Sequence, residues 1–563
     1  MKLSLRAGLS GVAAAAVAVG VAELVAVWTG PLSAPLLAVG GVVVDNVPPA
    51  VKDFGVQVFG THDKTALITG TAILLAVYAF ALGVIALRWW RVALGGIALF
   101  AAIGVTAALT RHDAGVFAAL PTLVGAGLAV WVLRYLLDLA GVDVGAPAAT
   151  RPRMATPAGV GSVTTLGAGA GAEDLAGGAD AGDLAGGAGA GDLAGGADAE
   201  DLAGGAGPGG SESRRRFLKA LGIAGGVALL AGVAGRMLTS RKAVTAARKA
   251  VVLPTATSDT PPLPSDVQAP GATPYVSSNA DFYRIDTALY PPQVDPSTWQ
   301  LKIHGMVRNP VTITWEQLLA RPMIERYVTL TCVSNEVGGD LIGNARWLGT
   351  PIKELLDEAD PLPGADQVVQ RSVDGWTCGS PTATLRDGRD AMLAIGMNGE
   401  ALPVDHGFPV RMVVPGLYGY VSACKWITEI ELSRFSDFDA YWVPRGWAQQ
   451  APIKTESRID TPRDGAERSP GTVMIAGVAW AQHRGISKVE VQVDGGAWVE
   501  ATLAGTVSSD TWRQWSYPWQ ATAGKHTIRV RATDRDGQTQ TSTPAPPAPD
   551  GATGWHSVQV TVG

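Results

Sequence analysis

The sequence predicts a multi-domain chain: an N-terminal α-helical membrane region, then an α+β domain, then an immunoglobulin-like β-sandwich. Three observations carry this. Long apolar runs crowd the first 140 residues, a twin-arginine segment begins at Ser213, and from Tyr275 short β-like runs alternate with amphipathic segments. The chain has 563 residues, more than one core supports. It is 47% apolar and only 17% charged, whereas soluble proteins carry roughly a quarter charged residues.

The apolar runs Leu9–Trp28, Ala66–Leu87, Val92–Leu109 and Val116–Leu137 each approach the ~20 residues needed to cross a bilayer. The run from Pro35 to Val44 is shorter and ends in Asp45, Asn46, Pro48 and Pro49, which predicts a re-entrant or interfacial piece. Lys2 and Arg6 precede the first run, Arg88 and Arg91 separate the second and third, and Arg134, Arg151 and Arg153 mark the end of the fourth. The positive-inside rule then places the N-terminus and residue 140 in the cytoplasm.

Residues 141–212 form a Gly/Ala/Asp linker in which Asp-Leu-Ala-Gly-Gly-Ala recurs from Asp174, Asp183, Asp192 and Asp201. The aspartate is misplaced for a calcium-binding β-helix, so a disordered tether is expected. Ser213-Arg214-Arg215-Arg216-Phe217-Leu218-Lys219, followed by apolar Ala220 to Ala234, matches the twin-arginine export motif. With no clear cleavage site after it, this segment is expected to stay as a fifth transmembrane helix over 213–240. Residues 241–274 read as an extended stalk. The expected division is therefore 1–140 membrane region, 141–212 linker, 213–240 export helix, 241–274 stalk, 275–450 α+β domain and 451–563 sandwich.

Within the α+β domain, Leu301–Val307 alternates as a strand. Thr314 is placed to cap a helix over Trp315–Ala320, and Pro351 opens another. The β-rich run Arg326 to Thr331 delivers Cys332 to a polar turn, Val333-Ser334-Asn335-Glu336. A thiolate there is a soft ligand for a transition metal. A zinc cage is excluded, since no Cys-x-x-Cys or clustered His lies nearby. The three cysteines, Cys332, Cys378 and Cys424, exclude a disulfide scaffold and leave any Cys378–Cys424 pairing open. After Ala451, strand runs Val473–Val478, Val489–Val493, His526–Ala532 and Ser557–Val562 at regular spacing predict the sandwich.

Four blocks in order, Asn279 to Arg284, Arg326 to Glu336, Ala345-Arg346-Trp347-x-Gly349, and Met397 to Arg411 continuing to Lys425-Trp426, resemble the sulfite-oxidase family. That family includes plant-type nitrate reductases and the bacterial YedY-like reductases. The resemblance implies a sulfite-oxidase-type molybdopterin domain with Cys332 as the protein's sulfur ligand to molybdenum. It implies that Asn279, Phe282, Tyr283, Arg284, Ser372, His406, Arg411, Ser422 and Lys425 line the cofactor, with Arg346 as a cation for the reaction. It also implies that the sandwich is a dimerisation domain.

The places after the ligand cysteine that hold arginines in sulfite oxidases hold Glu336 and Val337 here. The expected activity is therefore two-electron oxygen-atom or redox chemistry on a small molecule or an oxidised side chain. A sulfite dehydrogenase, or a non-catalytic binding module on a degenerate cofactor fold, stands as the alternative. No haem or iron–sulfur cluster is expected, given the cysteine count and with only His62 and His112 near the apolar runs. A quinone or a redox partner protein remains open as electron partner. A net charge of −6 argues against nucleic acid. The expected location is the cell membrane, multi-pass, with the catalytic domain outside the cytoplasm.

Overall fold

The computed structural model describes residues 2–30, 33–47, 63–110, 114–142, 208–241 and 244–563. The nine-residue repeats, His62 and His112 lie outside the described residues.

Five helices among these are long and apolar enough to cross a membrane. They are α1 (Leu3–Thr29), α3 (Asp63–Ala86), α4 (Trp90–Leu109), α5 (Leu120–Leu139) and α6 (Pro208–Arg241). Between the first two of these lies α2 (Pro35–Asn46), whose 12 residues span only ~18 Å. It packs through Ala38 on Ala107, Ala108 and Ala118, so the short apolar run is a helix lying against the bundle.

Glycine sets how closely these helices approach, as expected where lipid supplies no hydrophobic drive for association. A Cβ on Gly11 would lie 2.0 Å from the Ala79 carbonyl oxygen, and one on Gly83 would lie 2.1 Å from that of Ala7. α1 and α3 therefore touch backbone to backbone and run in opposite directions. α1 and α6 run the same way, Gly20 meeting Ala228 and Gly235 meeting Glu23. Lys2, Arg6, Arg88, Arg91 and Arg214–Arg216 consequently gather at one end of the bundle. Gly11→Leu should weaken the bundle by about 1–3 kcal/mol through overpacking. Gly127→Leu, with nothing within 4 Å of its added carbon, should be silent when both are followed by thermal unfolding in detergent.

Beyond α6, α7 (Val244–Ala250) docks on the following domain. Val244 is buried in a cluster with Phe282, Trp347 and Phe408. The Arg248 guanidinium donates to the Leu402 and Ala401 carbonyls at 2.7 and 2.6 Å and pairs with Glu400 at 3.0 Å. The segment expected to be a stalk is instead bound along its length. The Thr257 N–H donates to Met323 O, Thr260 Oγ1 donates to Glu325, and the Ala269 N–H donates to Gln514. Polar side chains that suit a solvated linker here reach the folded domain, as Thr257 Oγ1 does in donating to Met323 O at 3.0 Å.

The α+β domain holds two five-stranded sheets. One has the order β2 (Val311–Thr314), β1 (Gln300–Gly305), β10 (Ile427–Ser433), β5 (Gln367–Ser372), β6 (Thr377–Pro381), with β1 parallel to β10 and β5 antiparallel to it. The other joins β3 (Ile324–Thr331), β4 (Ile342–Pro351), β7 (Met392–Met397) and β8 (Glu400–Ala401), with β9 (Arg411–Val413) on β7. The helix after Thr314 forms over Trp315–Leu319 with a full Thr314–Gln317 capping box. From Glu456 the chain makes a sandwich of a four-stranded sheet, in the order β11 (Glu456–Thr461), β13 (Gly471–Trp480), β17 (Arg513–Ala521), β16 (Thr502–Leu503), on a five-stranded one, in the order β12 (Ala466–Arg468), β19 (Ser557–Val562), β18 (Gly524–Asp534), β14 (Ile486–Val493), β15 (Val499–Glu500). Ile475, Trp515, Val530 and Val560 fill its core.

Candidate active site

β3 is buried toward its C-terminal end and ends at Thr331, so Cys332 emerges as the chain turns. The turn is closed by the Asn335 N–H donating to Cys332 O and by Asn335 Oδ1 accepting from the Leu341 N–H at 2.8 Å. The Cys332 thiol is 8% exposed and accepts the Ser334 N–H at 3.4 Å. Burial pushes its pKa up, so the free thiol stays protonated until a metal displaces the proton.

Phe282 and Tyr283 stack at 5.2 Å, and Phe282 meets the edges of Trp347 and His406 at 5.6 and 5.5 Å. Trp347 is fully buried, and its Nε1–H donates to Val328 O at 3.1 Å. Trp347→Phe would remove that hydrogen bond and leave space in the core, so it should cost about 1–3 kcal/mol in denaturant unfolding.

His406 is the last residue of a 3-10 turn, and its Nε2 meets Asn279 O at 3.0 Å. Burial lowers its pKa to about 4 against that hydrogen bond, so the ring is neutral at neutral pH. Asn279 holds the neighbouring loop, donating to Glu400 at 2.5 Å and accepting from Asn398 at 2.8 Å.

Three cations converge here. Arg284 pairs with Asp286 and Asp405 at 2.9 and 3.2 Å, and Lys425 pairs with Asp286 at 2.6 Å. Burial lowers the Lys425 pKa to about 8, against the pull of Asp286. Arg411 is different. It is 5% exposed, lies 5.0 Å over the Trp347 ring, and donates only to the backbone carbonyls of His406 and Met412. No carboxylate among the described residues pairs with it, and burial lowers its pKa to about 10.

A buried cation without an anion is costly, and this arrangement fits a group that brings its own anion. Ser372 Oγ, buried at the end of β5 beside Trp426, likewise has no partner. A pterin with a phosphate tail supplies acceptors for both.

Two expected residues take other places. Ser422 Oγ donates to Leu417 O and Tyr418 O and so closes its own turn. Arg346 stands opposite Tyr327, five residues before Cys332, and its guanidinium faces Glu325 at 3.4 Å. The structure does not bring Arg346 to the cysteine. Sequence reading also missed Arg248 and Gln482. Gln482 comes from the sandwich and donates to Thr329 O and Thr331 Oγ1 at 3.0 and 3.1 Å.

The family model "Oxidoreductase molybdopterin binding domain" matches residues 288–442, and "Bacterial Ig domain" matches residues 456–530. Sulfite oxidase of Arabidopsis thaliana is 30% identical over 278 residues, covering 40% of this chain and 70% of that protein. The chain belongs to the sulfite oxidase family. This family member is 29% identical over 321 residues to the mitochondrial sulfite oxidase of Mus musculus, covering 48% of itself and 58% of that enzyme. It is also 31% identical over 208 residues to the protein-methionine-sulfoxide reductase catalytic subunit MsrP of Gluconobacter oxydans, covering 32% of itself and 61% of that protein. The sulfane dehydrogenase SoxCD of Paracoccus pantotrophus aligns over 48% of this chain and 75% of its own, at 24% identity and a TM-score of 0.43. The cofactor of this sulfite oxidase family member is molybdenum-molybdopterin.

Proposed function

We propose that the chain is a membrane-anchored, extracytoplasmic molybdenum-cofactor oxidoreductase acting on an uncharged small molecule or oxidised side chain. The observation that carries the reading is Arg411, a buried guanidinium with no carboxylate partner in the same pocket as Tyr283, His406 and Lys425. Arg411, Arg284 and Lys425 hold the cofactor's anionic tail, His406 and Ser372 hydrogen-bond its polar edge, and Cys332 ligates the metal. When bound, the cofactor supplies a two-electron centre competent for oxygen-atom transfer.

The chain's own residues select the substrate. The turn after Cys332 exposes Ser334 and Glu336, and Arg346 is held by Glu325. An exposed carboxylate in that turn, with no ion pair among the described residues, disfavours an oxyanion. An uncharged oxygen-atom donor such as a sulfoxide is the better fit. Sulfite oxidation is the second reading, favoured by the names of several relatives.

The gathering of Lys2, Arg6, Arg88, Arg91 and Arg214–Arg216 at one end of the bundle supports a cytoplasmic side there. The C-terminal end of α6, and with it the cofactor domain, then lies outside. Electrons pass to or from a quinone or a redox partner protein, and the sandwich is available for homodimerisation.

The test uses the full chain purified in detergent from cells with intact cofactor synthesis. About one molybdenum and one pterin per chain are expected, with turnover of a sulfoxide by an artificial electron donor and none of sulfite. Sulfite turnover would favour the second reading. A folded chain with neither metal nor pterin would sink both.

A further inference from the structure

The sandwich presents one face of two strands to the cysteine turn. β11 (Glu456–Thr461) pairs with β13 (Gly471–Trp480) so that Glu456 lies opposite Trp480 and Arg458 opposite Val478. These four residues share a face, and Gln482 continues it. That face grips the segment carrying Cys332. Gln482 Nε2 donates to Thr329 O and Thr331 Oγ1, and the Arg458 guanidinium donates to Gly339 O at 2.9 Å.

Four buried polar atoms in this seam have no protein partner: Glu456 Oε1, Trp480 Nε1, Gln482 Oε1 and Asn335 Nδ2. They come from three separate segments and include donors and acceptors in balance. Orphan atoms of that kind are what internal water joins. The Tyr418 ring lies in the same seam, its hydroxyl accepting the Lys454 N–H and its acidity responding to both Glu456 and Cys332.

We propose that Glu456 is the proton store of the molybdenum centre, exchanging a proton with the Cys332 side of the site through Tyr418 and ordered water. The assignment rests on the proposed function. Removing an oxygen atom from a substrate consumes two protons and two electrons and releases one water: XO + 2H⁺ + 2e⁻ → X + H2O. The electrons come from the quinone or redox partner, and Glu456 supplies both protons in turn, being refilled from the surface edge at Lys454 and Asp550 after each.

The surroundings keep that proton available. Glu456 is 4% exposed, and burial pushes its carboxyl up to about 8, with Lys454 only partly offsetting this. Lys454 is itself paired with Asp550 at 2.9 Å. The other titratable groups around Glu456 are Tyr418 from the cofactor domain, Arg458 on its own strand, His556, whose Nδ1 accepts the Ile459 N–H, and the ion pair of Arg484 with Asp534, which meets the neighbouring Thr455 hydroxyl. Arg458 is paired with Asp460 at 2.7 Å. The carboxyl is therefore protonated at neutral pH and ionises as pH rises through about 8.

Glu456→Gln in the full-length loaded protein tests this, because it keeps size and hydrogen bonding and removes only the proton. A protonated-carboxyl infrared band should be present in the parent at pH 6, fade through about pH 8, and be missing from the variant. With molybdenum content unchanged, turnover should fall about 10-fold, less than the 10²–10⁴-fold of an acid that touches substrate, and the alkaline limb of the pH profile should move. Because a folded pKa raised above the unfolded one gives stability that is lost from the ordinary carboxyl range up to the folded pKa, the variant should match the parent at pH 4, gain on it in thermal unfolding as pH rises, and show the full difference above about pH 8. Absence of the band, or an unchanged alkaline limb in a loaded variant, overturns the proposal. The band is read whether or not metal is bound, so failure of the cofactor reading shows separately, as missing molybdenum in the parent.

Discussion

Cys332→Ser should abolish turnover while leaving the fold and most of the bound pterin in place. Ser334 is the thiol's hydrogen-bond partner through its side chain and through its N–H at 3.4 Å, and a hydroxyl of similar size can keep both. The stability change should therefore stay within about 1 kcal/mol. Pterin retention should persist because the cations proposed to hold it, Arg284, Arg411 and Lys425, come from other segments, two of them paired with Asp286 and one without a carboxylate among the described residues. What is lost is a soft, polarisable thiolate replaced by a hard oxygen that remains protonated. The measurements are metal and pterin content, the Mo(V) resonance and turnover of the same preparation. Unchanged activity with an unchanged resonance would remove Cys332 from the metal's sphere. A collapse of the fold would instead make it a packing residue.

The parts of this protein that sequence discloses are those whose cause is local. Bilayer-length apolar runs became α1, α3, α4, α5 and α6, because helix length and hydropathy are properties of a continuous segment. The capping box at Thr314 and the strand ending before Cys332 are local in the same sense. The site motifs were legible for a different reason, since their residues cluster in short blocks. Asn279, Phe282, Tyr283, His406, Arg411 and Lys425 do come together in the structure.

What stayed hidden is long-range. Arg248 reaches Leu402 across 154 positions and Gln482 reaches Thr329 across 153, and neither leaves any period or motif. Arg346 misled because its neighbours form a recognisable block, while strand register points its guanidinium at Glu325. The stalk misled because Pro, Ser and Thr suit a solvated linker and a surface strap equally well. Ser372, by contrast, is made legible only by its environment: a buried hydroxyl with no partner.

Arg411→Met should move two observables in opposite directions. In the apoprotein the guanidinium is buried, lacks a carboxylate, and is held by two backbone carbonyls and the face of Trp347. Replacing buried charge with an apolar side chain of similar volume is often neutral or stabilising by about 1–4 kcal/mol. Arg411 should lie toward the stabilising side, because no opposite charge repays its desolvation. In the loaded protein the same change removes a charge-assisted hydrogen bond worth roughly 1.5–3 kcal/mol, or about 10- to 100-fold in cofactor retention. The apo form should therefore melt higher while cofactor content after dialysis falls. Arg411→Lys should sit between, since a point charge keeps the attraction but loses the planar fork. If apo stability and cofactor content fall together, Arg411 is a structural cation whose backbone bonds hold the His406 loop. The anion site must then be sought at Lys425 and Arg284, where the carboxylate of Asp286 already meets both charges.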